Sequence, residues 1–477
     1  MAEVTPYVVA GQRRTGDQPF EVTSPFDGSL VARVGTPTER DLEEAIAAAA
    51  RTFEEESRLL PTHARAEALL HISRRIGERV EEVAELIARE GGKPLKWARV
   101  EAGRATSTFR WAAETIRAMD GEALRLDTDP ALGSRLGLVR RFAYGPVAGI
   151  APFNFPVNLV AHKMAPALAV GAPIILKPAS ATPLGALFLA ELFAETDLPS
   201  GMVSVLPLDG ARAEPLVTDP RIAKVSFTGS SPVGWKLKSL DPRKHFTLEL
   251  GGNAGVIVHS DADLDHAAAR VAFGGYYQAG QSCIAVQRIF VHAPVYDDFV
   301  TRLVKEVEAL KVGDPLDPET DVGPLIDRSG LDKVERMVDD AVSQGAEVLV
   351  GGERKDPFYA PTVLGSVRED MEVCREEIFG PVTTVDRYET FEEAIDKVNG
   401  TEFGLQGGVF TRDIERAMLA HREIRVGGVI VNDVSAFRAD QMPYGGTKDS
   451  GYGREGLRYA MEEMTEPRIM VLSNVPL

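Results

Sequence analysis

Four positions in this sequence could do chemistry. Cys283 ends the turn Gly280-Gln281-Ser282-Cys283 after a helical stretch. A thiol there could serve as a covalent nucleophile once ionised. It could also be a small buried hydrophobe, the commoner use of an isolated cysteine. Glu249 lies in Phe246-Thr247-Leu248-Glu249-Leu250-Gly251-Gly252, where alternation puts Thr247 and Glu249 on the face opposite the apolar residues. A carboxylate at a strand end before two glycines suits a general base, or part of a solvated face. Asn154 is held between prolines in Pro152-Phe153-Asn154-Phe155-Pro156, a rigidity that suits a fixed hydrogen-bond donor or a plain turn. Lys177 leaves the apolar run Ile174–Leu176 in Lys177-Pro178-Ala179-Ser180. The carboxyl edge of a parallel sheet is where ligands bind, although a lysine there can also be merely solvated. The second cysteine, Cys374, sits among acids at Glu372–Glu377 with no activating partner and reads as structural.

Phosphate binding separates a nucleotide enzyme from other candidates. The string Gly451, Gly453, Gly456 has GxGxxG spacing but follows the polar stretch Gly446–Ser450 instead of a strand, so it reads as a decoy. Phe227-Thr228-Gly229-Ser230-Ser231-Pro232-Val233-Gly234 directly follows the apolar run Ala223–Phe227. There a glycine lets the backbone approach a pyrophosphate, and Ser230 can donate at a helix N-terminus.

These side chains need elements to hold them. The first 120 residues read largely as helices: a capping box at Thr38 and Asp41 before Leu42, Ile46, Ala49 and Phe53, a second stretch from Leu69 to Val83, and a third from about Lys96 to Met119. Arg135 to Tyr144 reads as extended. From Gly145 to Val258 short apolar runs alternate with helix-length segments, which implies βαβ units and a parallel sheet. A second such series begins after Asp261. It has helices to Tyr277, at Tyr296–Leu310 and at Leu331–Gln344, and strands at Arg288–His292, Glu347–Val350 and Gly428–Val431. The expected architecture is α/β, with two doubly wound parallel-sheet (Rossmann-like) domains and a boundary near Gly251-Gly252. No internal repeat or low-complexity segment is present.

A chain of 477 residues exceeds what one core usually holds. Its net charge, 53 − 71 = −18, argues against nucleic acid or an anionic membrane as the main partner. The longest apolar stretch, Leu159–Leu176, is interrupted by His162, Lys163 and Gly171, so no membrane span is expected. Two cysteines exclude a disulfide scaffold, and a cytoplasmic home is expected. No secretory signal and no metal site are expected.

Taken together, the motifs resemble the NAD(P)-dependent aldehyde dehydrogenase superfamily. The resemblance runs from the N-terminal helices to about Val471. It rests on seven motifs in order: Pro152–Pro156, Lys177–Ser180, Phe227–Gly234, Leu248–Gly252, Gly280–Cys283, Glu376-Glu377-Ile378-Phe379-Gly380-Pro381 and Pro443-Tyr444-Gly445-Gly446. It implies a dinucleotide-binding domain (1–122 and 146–250), a catalytic domain (251–448) and a small β oligomerisation arm (123–145 and 460–477) in a homodimer or dimer-based homotetramer. Cys283 would attack the aldehyde, Asn154 and the Cys283 N–H would hold the oxyanion, and Glu249 would activate the water that hydrolyses a thioester. The cofactor would contact Ala151, Pro152, Phe153, Lys177, Ser180 and Gly210, and also Phe227, Gly229, Ser230, Gly234, Leu250, Glu377 and Phe379. Glu466 matches a position on a proton path in some members.

Much of the family has glutamate where this chain has Ser180. That carboxylate would bind the ribose hydroxyls of NAD and repel the extra phosphate of NADP, so the serine implies use of NADP, with or without NAD. On the substrate side, His162, Ser282 and Arg438 occupy positions that line the family's pocket and imply a small polar or anionic aldehyde. The segment Asn432–Arg438 resembles the lactaldehyde, non-phosphorylating glyceraldehyde-3-phosphate and phosphonoacetaldehyde branch. Phosphate users of that branch often carry arginine where Ser282 stands. That leaves lactaldehyde, glycolaldehyde, glyceraldehyde or a semialdehyde. Two alternatives share the nucleophile: a cysteine-dependent esterase without redox chemistry, and an enzyme that passes the thioester to coenzyme A.

Overall fold

Short, fully apolar runs between helices can hide both faces only inside a sheet covered on both sides. The computed structural model, which describes residues 3–474, shows two such sheets. The first has eight strands in the order Gly451–Tyr452, His245–Glu249, Lys224–Thr228, Val147–Ile150, Ile174–Lys177, Val203–Val205, Tyr7–Val9, Gln12–Arg14. The five from His245–Glu249 to Val203–Val205 run parallel. Helix Asn158–Val170 packs with every residue buried, and the helices Leu184–Ala194 and Ser231–Leu240 complete the crossovers. The second sheet has seven strands, in the order Glu347–Val350, Thr362–Gly365, Val382–Tyr388, Val286–His292, Ala254–Val258, Gln406–Phe410, Gly428–Val431. It is parallel except for Glu347–Val350 at one edge.

The extended segment Arg135–Ala143 pairs antiparallel with Glu122–Arg125 on one side and with Thr465–Ser473 on the other, a separate three-stranded sheet. Ile469, Met470 and Val471 on its outer strand are about half exposed.

The N-terminal region corrects the helical expectation. Five strands of two to five residues precede Thr38, and Tyr7–Val9 joins the first sheet. Runs that short are below the window in which a period of two can be recognised. The capping box stands: Thr38 Oγ1 accepts from the Asp41 N–H, and Asp41 accepts from the Thr38 N–H. The stretch through Leu69 and Val83 is two helices, Thr62–Glu78 and Val80–Gly91, broken at Arg79. The second sheet has three strands beyond those expected, Thr362–Gly365, Val382–Tyr388 and Gln406–Phe410. Among the described residues, no helix is long and apolar enough to cross a membrane.

Candidate active site

The carboxyl ends of the first sheet face the amino ends of the second. Asn154 follows Val147–Ile150, and Glu249 ends His245–Glu249. From the other side, Cys283 precedes Val286–His292 and Glu377 precedes Val382–Tyr388. Three hydrogen bonds tie the two sides together. Asn154 Nδ2 donates to the Gln281 carbonyl at 3.0 Å, Gln278 Nε2 donates to the Asn154 carbonyl, and the Gly252 N–H donates to Glu377 Oε1 at 2.9 Å. A side chain at Gly252 would put its Cβ 2.1 Å from the Cys283 carbonyl oxygen, so the close approach of the two sides requires glycine there.

Cys283 is partly buried, and its sulfur lies 3.2 Å from the Tyr444 hydroxyl. Burial pushes its thiol pKa up to about 12, with the Glu377 and Glu249 carboxylates adding to the rise and Tyr444 and Arg438 opposing it. The Cys283 N–H makes no hydrogen bond among the described residues. Asn154 is buried and spends one amide hydrogen on Gln281, which leaves the second available. Amide and N–H could therefore both serve an oxyanion formed on an adduct of Cys283.

Glu249 is buried, and neither of its carboxylate oxygens has a partner. A buried, unpartnered carboxylate is costly. Burial, reinforced by the Glu455 carboxylate, holds its pKa well above the usual range. Glu455 is also buried but is held low by Lys163, 3.1 Å away, and by Arg438, at 3.1 Å. Lys163 is anchored in turn by Thr228 Oγ1 at 2.7 Å and Ser226 Oγ at 3.1 Å. Two buried acids with pKa values pushed apart, one proton-binding and one anionic, could serve as a proton-handling pair.

Glu455 and Lys163 were missed as site residues. The signals were present: Lys163 interrupts a run whose other residues suit a fully buried helix, and Glu455 lies inside the glycine string set aside as a decoy. That string is not a phosphate loop. Gly451–Tyr452 pairs antiparallel with Leu248–Glu249 and brings Glu455 beside Glu249. Glu466 sits on the arm strand opposite Phe142, partly exposed and paired with Arg468 at 2.5 Å, because the chain passes from the helix Leu457–Glu463 into the arm at Thr465.

The three residues expected to line the substrate pocket each make an internal hydrogen bond. His162 is buried, bonds Asp440 Oδ1 at 3.0 Å, and is held neutral by burial and by Arg438, with its pKa lowered to about 4. Arg438 is buried against Glu455 and stacks on Tyr444, its guanidinium carbon 3.7 Å from the ring centroid. Each is engaged by an internal partner, while His162 Nδ1 and Arg438 Nε are buried without one. Ser282 Oγ accepts from the Tyr277 hydroxyl at 2.6 Å, immediately beside Cys283. Arg104 bonds Asp440 Oδ1 at 2.8 Å with a quarter of its side chain exposed, and acts electrostatically on Tyr277.

The cofactor side has free donors. Lys177 Nζ has no partner among the described residues, and burial lowers its pKa. Ser230 caps the helix Ser231–Leu240 without a side-chain cap bond, and its hydroxyl remains free. With the open helix N-terminus it can receive an anion. Ala151 and Lys177 are joined by a backbone bond, Ser180 is exposed at the same edge, and Gly210 has open space around it. A Cβ at Gly229 would strike the Phe227 ring at 2.6 Å, and one at Gly234 would strike Leu250 at 2.4 Å. Phe379, at φ 55°, meets Phe153 edge-on at 5.9 Å, and burial raises the Glu377 pKa to about 7. An unpartnered ammonium and an open helix N-terminus at one sheet edge fit a dinucleotide's ribose and pyrophosphate.

The Aldehyde dehydrogenase family profile matches residues 12–470. The 3-sulfolactaldehyde dehydrogenase of Priestia megaterium is 43% identical over 466 residues, which cover 98% of this chain and 97% of the relative. Aldehyde dehydrogenase 21 from Physcomitrella patens, solved with the reaction product succinate, superposes with a TM-score of 0.97 at 41% identity, over 100% of this chain and 99% of that one. Glyceraldehyde-3-phosphate dehydrogenase from Methanocaldococcus jannaschii, solved with NADP, gives 0.92 at 38% identity, over 96% and 100%. With the sheet order, the crevice and the match over nearly its whole length, the chain belongs to the aldehyde dehydrogenase family, whose enzymes use NAD or NADP.

Proposed function

We propose that the protein oxidises a small polar or anionic aldehyde to its carboxylic acid, with Cys283 as nucleophile and Glu249 as deacylating base. The observation that carries this reading is the buried Glu249 carboxyl, free of partners, in the same crevice as a cysteine whose own N–H is free. Cys283 attacks the carbonyl carbon as thiolate, and the new oxyanion takes hydrogen bonds from the Cys283 N–H and the Asn154 amide. When bound, the nicotinamide dinucleotide accepts the hydride, which leaves an acyl thioester on Cys283. Glu249 then takes a proton from the attacking water, close to the buried pair of Glu455 and Lys163. A buried base without a competing partner favours water over coenzyme A as the acyl acceptor.

Lys177 and Ser180 would hold the adenosine ribose, Ser230 the pyrophosphate, and Glu377 the nicotinamide ribose. The first-sheet unit then serves as the dinucleotide-binding domain and the second as the catalytic domain. The relatives' names cover aldehydes carrying a sulfonate, a carboxylate or a phosphate, which supports a short anionic substrate. Arg104 is the cation we assign to its polar end. Ser282 in place of arginine before the cysteine disfavours a phosphate.

An aldehyde panel assayed with NAD and NADP, on wild type and Ser180→Glu, tests these points together. Sulfolactaldehyde, lactaldehyde and succinate semialdehyde are expected to exceed hexanal and benzaldehyde in kcat/KM by about tenfold or more. The reverse order sinks the substrate reading. In Ser180→Glu, a like charge about 4 Å from the NADP 2′-phosphate costs about 4 kcal/mol at an effective dielectric near 20. Ser180 is exposed, so screening cuts this to roughly 1–3 kcal/mol, about one to two decades in the NADP/NAD ratio. An unchanged ratio would remove Ser180 from the ribose site.

We also propose a homodimer or dimer-based tetramer, held by the arm strand Thr465–Ser473 and its exposed Ile469, Met470 and Val471. Light scattering at micromolar concentration should give at least twice the 51.6 kDa chain mass. A monomeric mass contradicts it.

A further inference from the structure

A line of contacts from Glu455 to the nucleophile is used by no step above. Glu455 Oε2 accepts from Arg438 Nη2 at 3.1 Å, the Arg438 guanidinium lies over the Tyr444 ring, and the Tyr444 hydroxyl is 3.2 Å from Cys283 Sγ. Arg438 and Glu455 have side chains only 5% and 2% exposed, and Tyr444 is 3% exposed. We propose that Tyr444 is a positioning residue for the reaction: its phenol donates a hydrogen bond to the Cys283 sulfur, stabilising and orienting the thiolate, and the cation stacked on its ring strengthens that donor. This deepens the reading of Cys283 as the nucleophile and rests on it.

Three observations support the assignment. First, packing does not explain the hydroxyl. The Tyr444 ring belongs to a small apolar cluster with Ile284 and Leu405, flanked by Cys283 and Met442, which phenylalanine would fill equally well. Second, the sulfur has no other hydrogen-bond partner among the described residues. Burial and the Glu377 and Glu249 carboxylates oppose its ionisation, and the Tyr444 hydrogen bond and Arg438 favour it. Third, burial and the nearby Cys283 keep Tyr444 itself protonated, its pKa well above the ordinary phenol value. A thiolate has no hydrogen to give, so once Cys283 ionises the bond can run only from oxygen to sulfur, as a charge-assisted bond. A guanidinium over the ring face draws electron density toward itself and makes the O–H a better donor. Arg438 is held in this position by its 3.1 Å ion pair with the buried Glu455, which Lys163 shares.

Tyr444→Phe tests the proposal through the thiol itself. Alkylation of Cys283 by iodoacetamide, followed by mass on its own peptide between pH 6 and 10 without cofactor, reads how easily the sulfur ionises. Loss of one charge-assisted donor should slow alkylation at pH 8 by about tenfold and move the pH–rate curve up by about one unit. The pH profile of kcat/KM should move the same way, and the melting temperature should stay unchanged. A superimposable alkylation curve overturns the proposal. If Tyr444→Phe melts lower, Arg438→Lys decides: it keeps the phenol and weakens the stacking, so a smaller shift in the same direction supports the proposal and no shift overturns it. Alkylation of the wild type checks the underlying reading separately. An enzyme that stays active with Cys283 fully alkylated refutes the nucleophile, whatever Tyr444 does.

Discussion

Replacement of Cys283 by alanine is expected to lower kcat by about 10⁴-fold or more while leaving dinucleotide affinity within about twofold of wild type. The asymmetry follows from the architecture. The free donors we assign to the cofactor, Lys177 and Ser230, stand on the first sheet, and the cysteine stands on a loop of the second. A covalent nucleophile has no substitute in this crevice. The other cysteine, Cys374, is buried at the turn Glu372–Arg375 near Arg288 and Thr384, and burial raises its pKa to about 11. Cys283→Ser is a stricter control than alanine because it keeps the shape and a hydrogen-bonding group while replacing the thiol by a far less acidic hydroxyl. Activity above about 1% in the alanine variant would end the assignment.

The second large effect is expected from Glu249→Gln. The amide cannot take a proton from water, so deacylation should slow by about 10²–10⁴-fold, while the first turnover still releases reduced dinucleotide. Rapid mixing should therefore show a burst followed by a slow steady state. Equal slowing of both phases would argue that Glu249 also helps to ionise Cys283. The wild-type deacylation rate should rise with pH, because only the deprotonated carboxylate is a base and its pKa is raised by burial and by Glu455.

Stability should move the other way. With its pKa raised in the folded state, Glu249 binds protons more tightly folded than unfolded. Its contribution to stability is therefore greatest below the unfolded carboxylate pKa and is lost as pH rises toward the folded value. Glu249→Gln removes that loss, so the variant should melt higher than wild type at pH 8 and show a shrinking advantage toward pH 5. A lower melting temperature at pH 8 would mean that the carboxylate is stabilised by groups other than those around it here. Destabilised charge at a working site is a common cost of function.

The sequence alone determined the α/β class, the crossover rhythm of the first sheet with part of the second, and the motif order that identifies the family. Each is written locally. A buried parallel strand shows as a short apolar run, a helix start as a cap such as Thr38 with Asp41, and a chemical loop as a run of fixed types such as Gly280–Cys283. Strands of two or three residues near the N-terminus escaped, because pairing with distant partners stabilises them and their own pattern is too short to carry it. Side-chain partners could not be read at all. His162 and Arg438 look in the sequence like polar groups available to a substrate. Only the fold shows them engaged, by Asp440 in one case and by Glu455 and Tyr444 in the other. Glu466 and Glu455 are eleven positions apart on one C-terminal stretch. The antiparallel pairing of Gly451–Tyr452 with Leu248–Glu249 brings Glu455 inside, and the arm strand that begins at Thr465 carries Glu466 to the partly exposed arm sheet. The ionisation of Glu249, Glu455 and Cys283 is likewise a tertiary property. It depends on desolvation and on charges contributed by five separate segments, around positions 163, 249, 283, 377 and 438–455. No local pattern encodes the distance between two charges that meet only when the chain has folded.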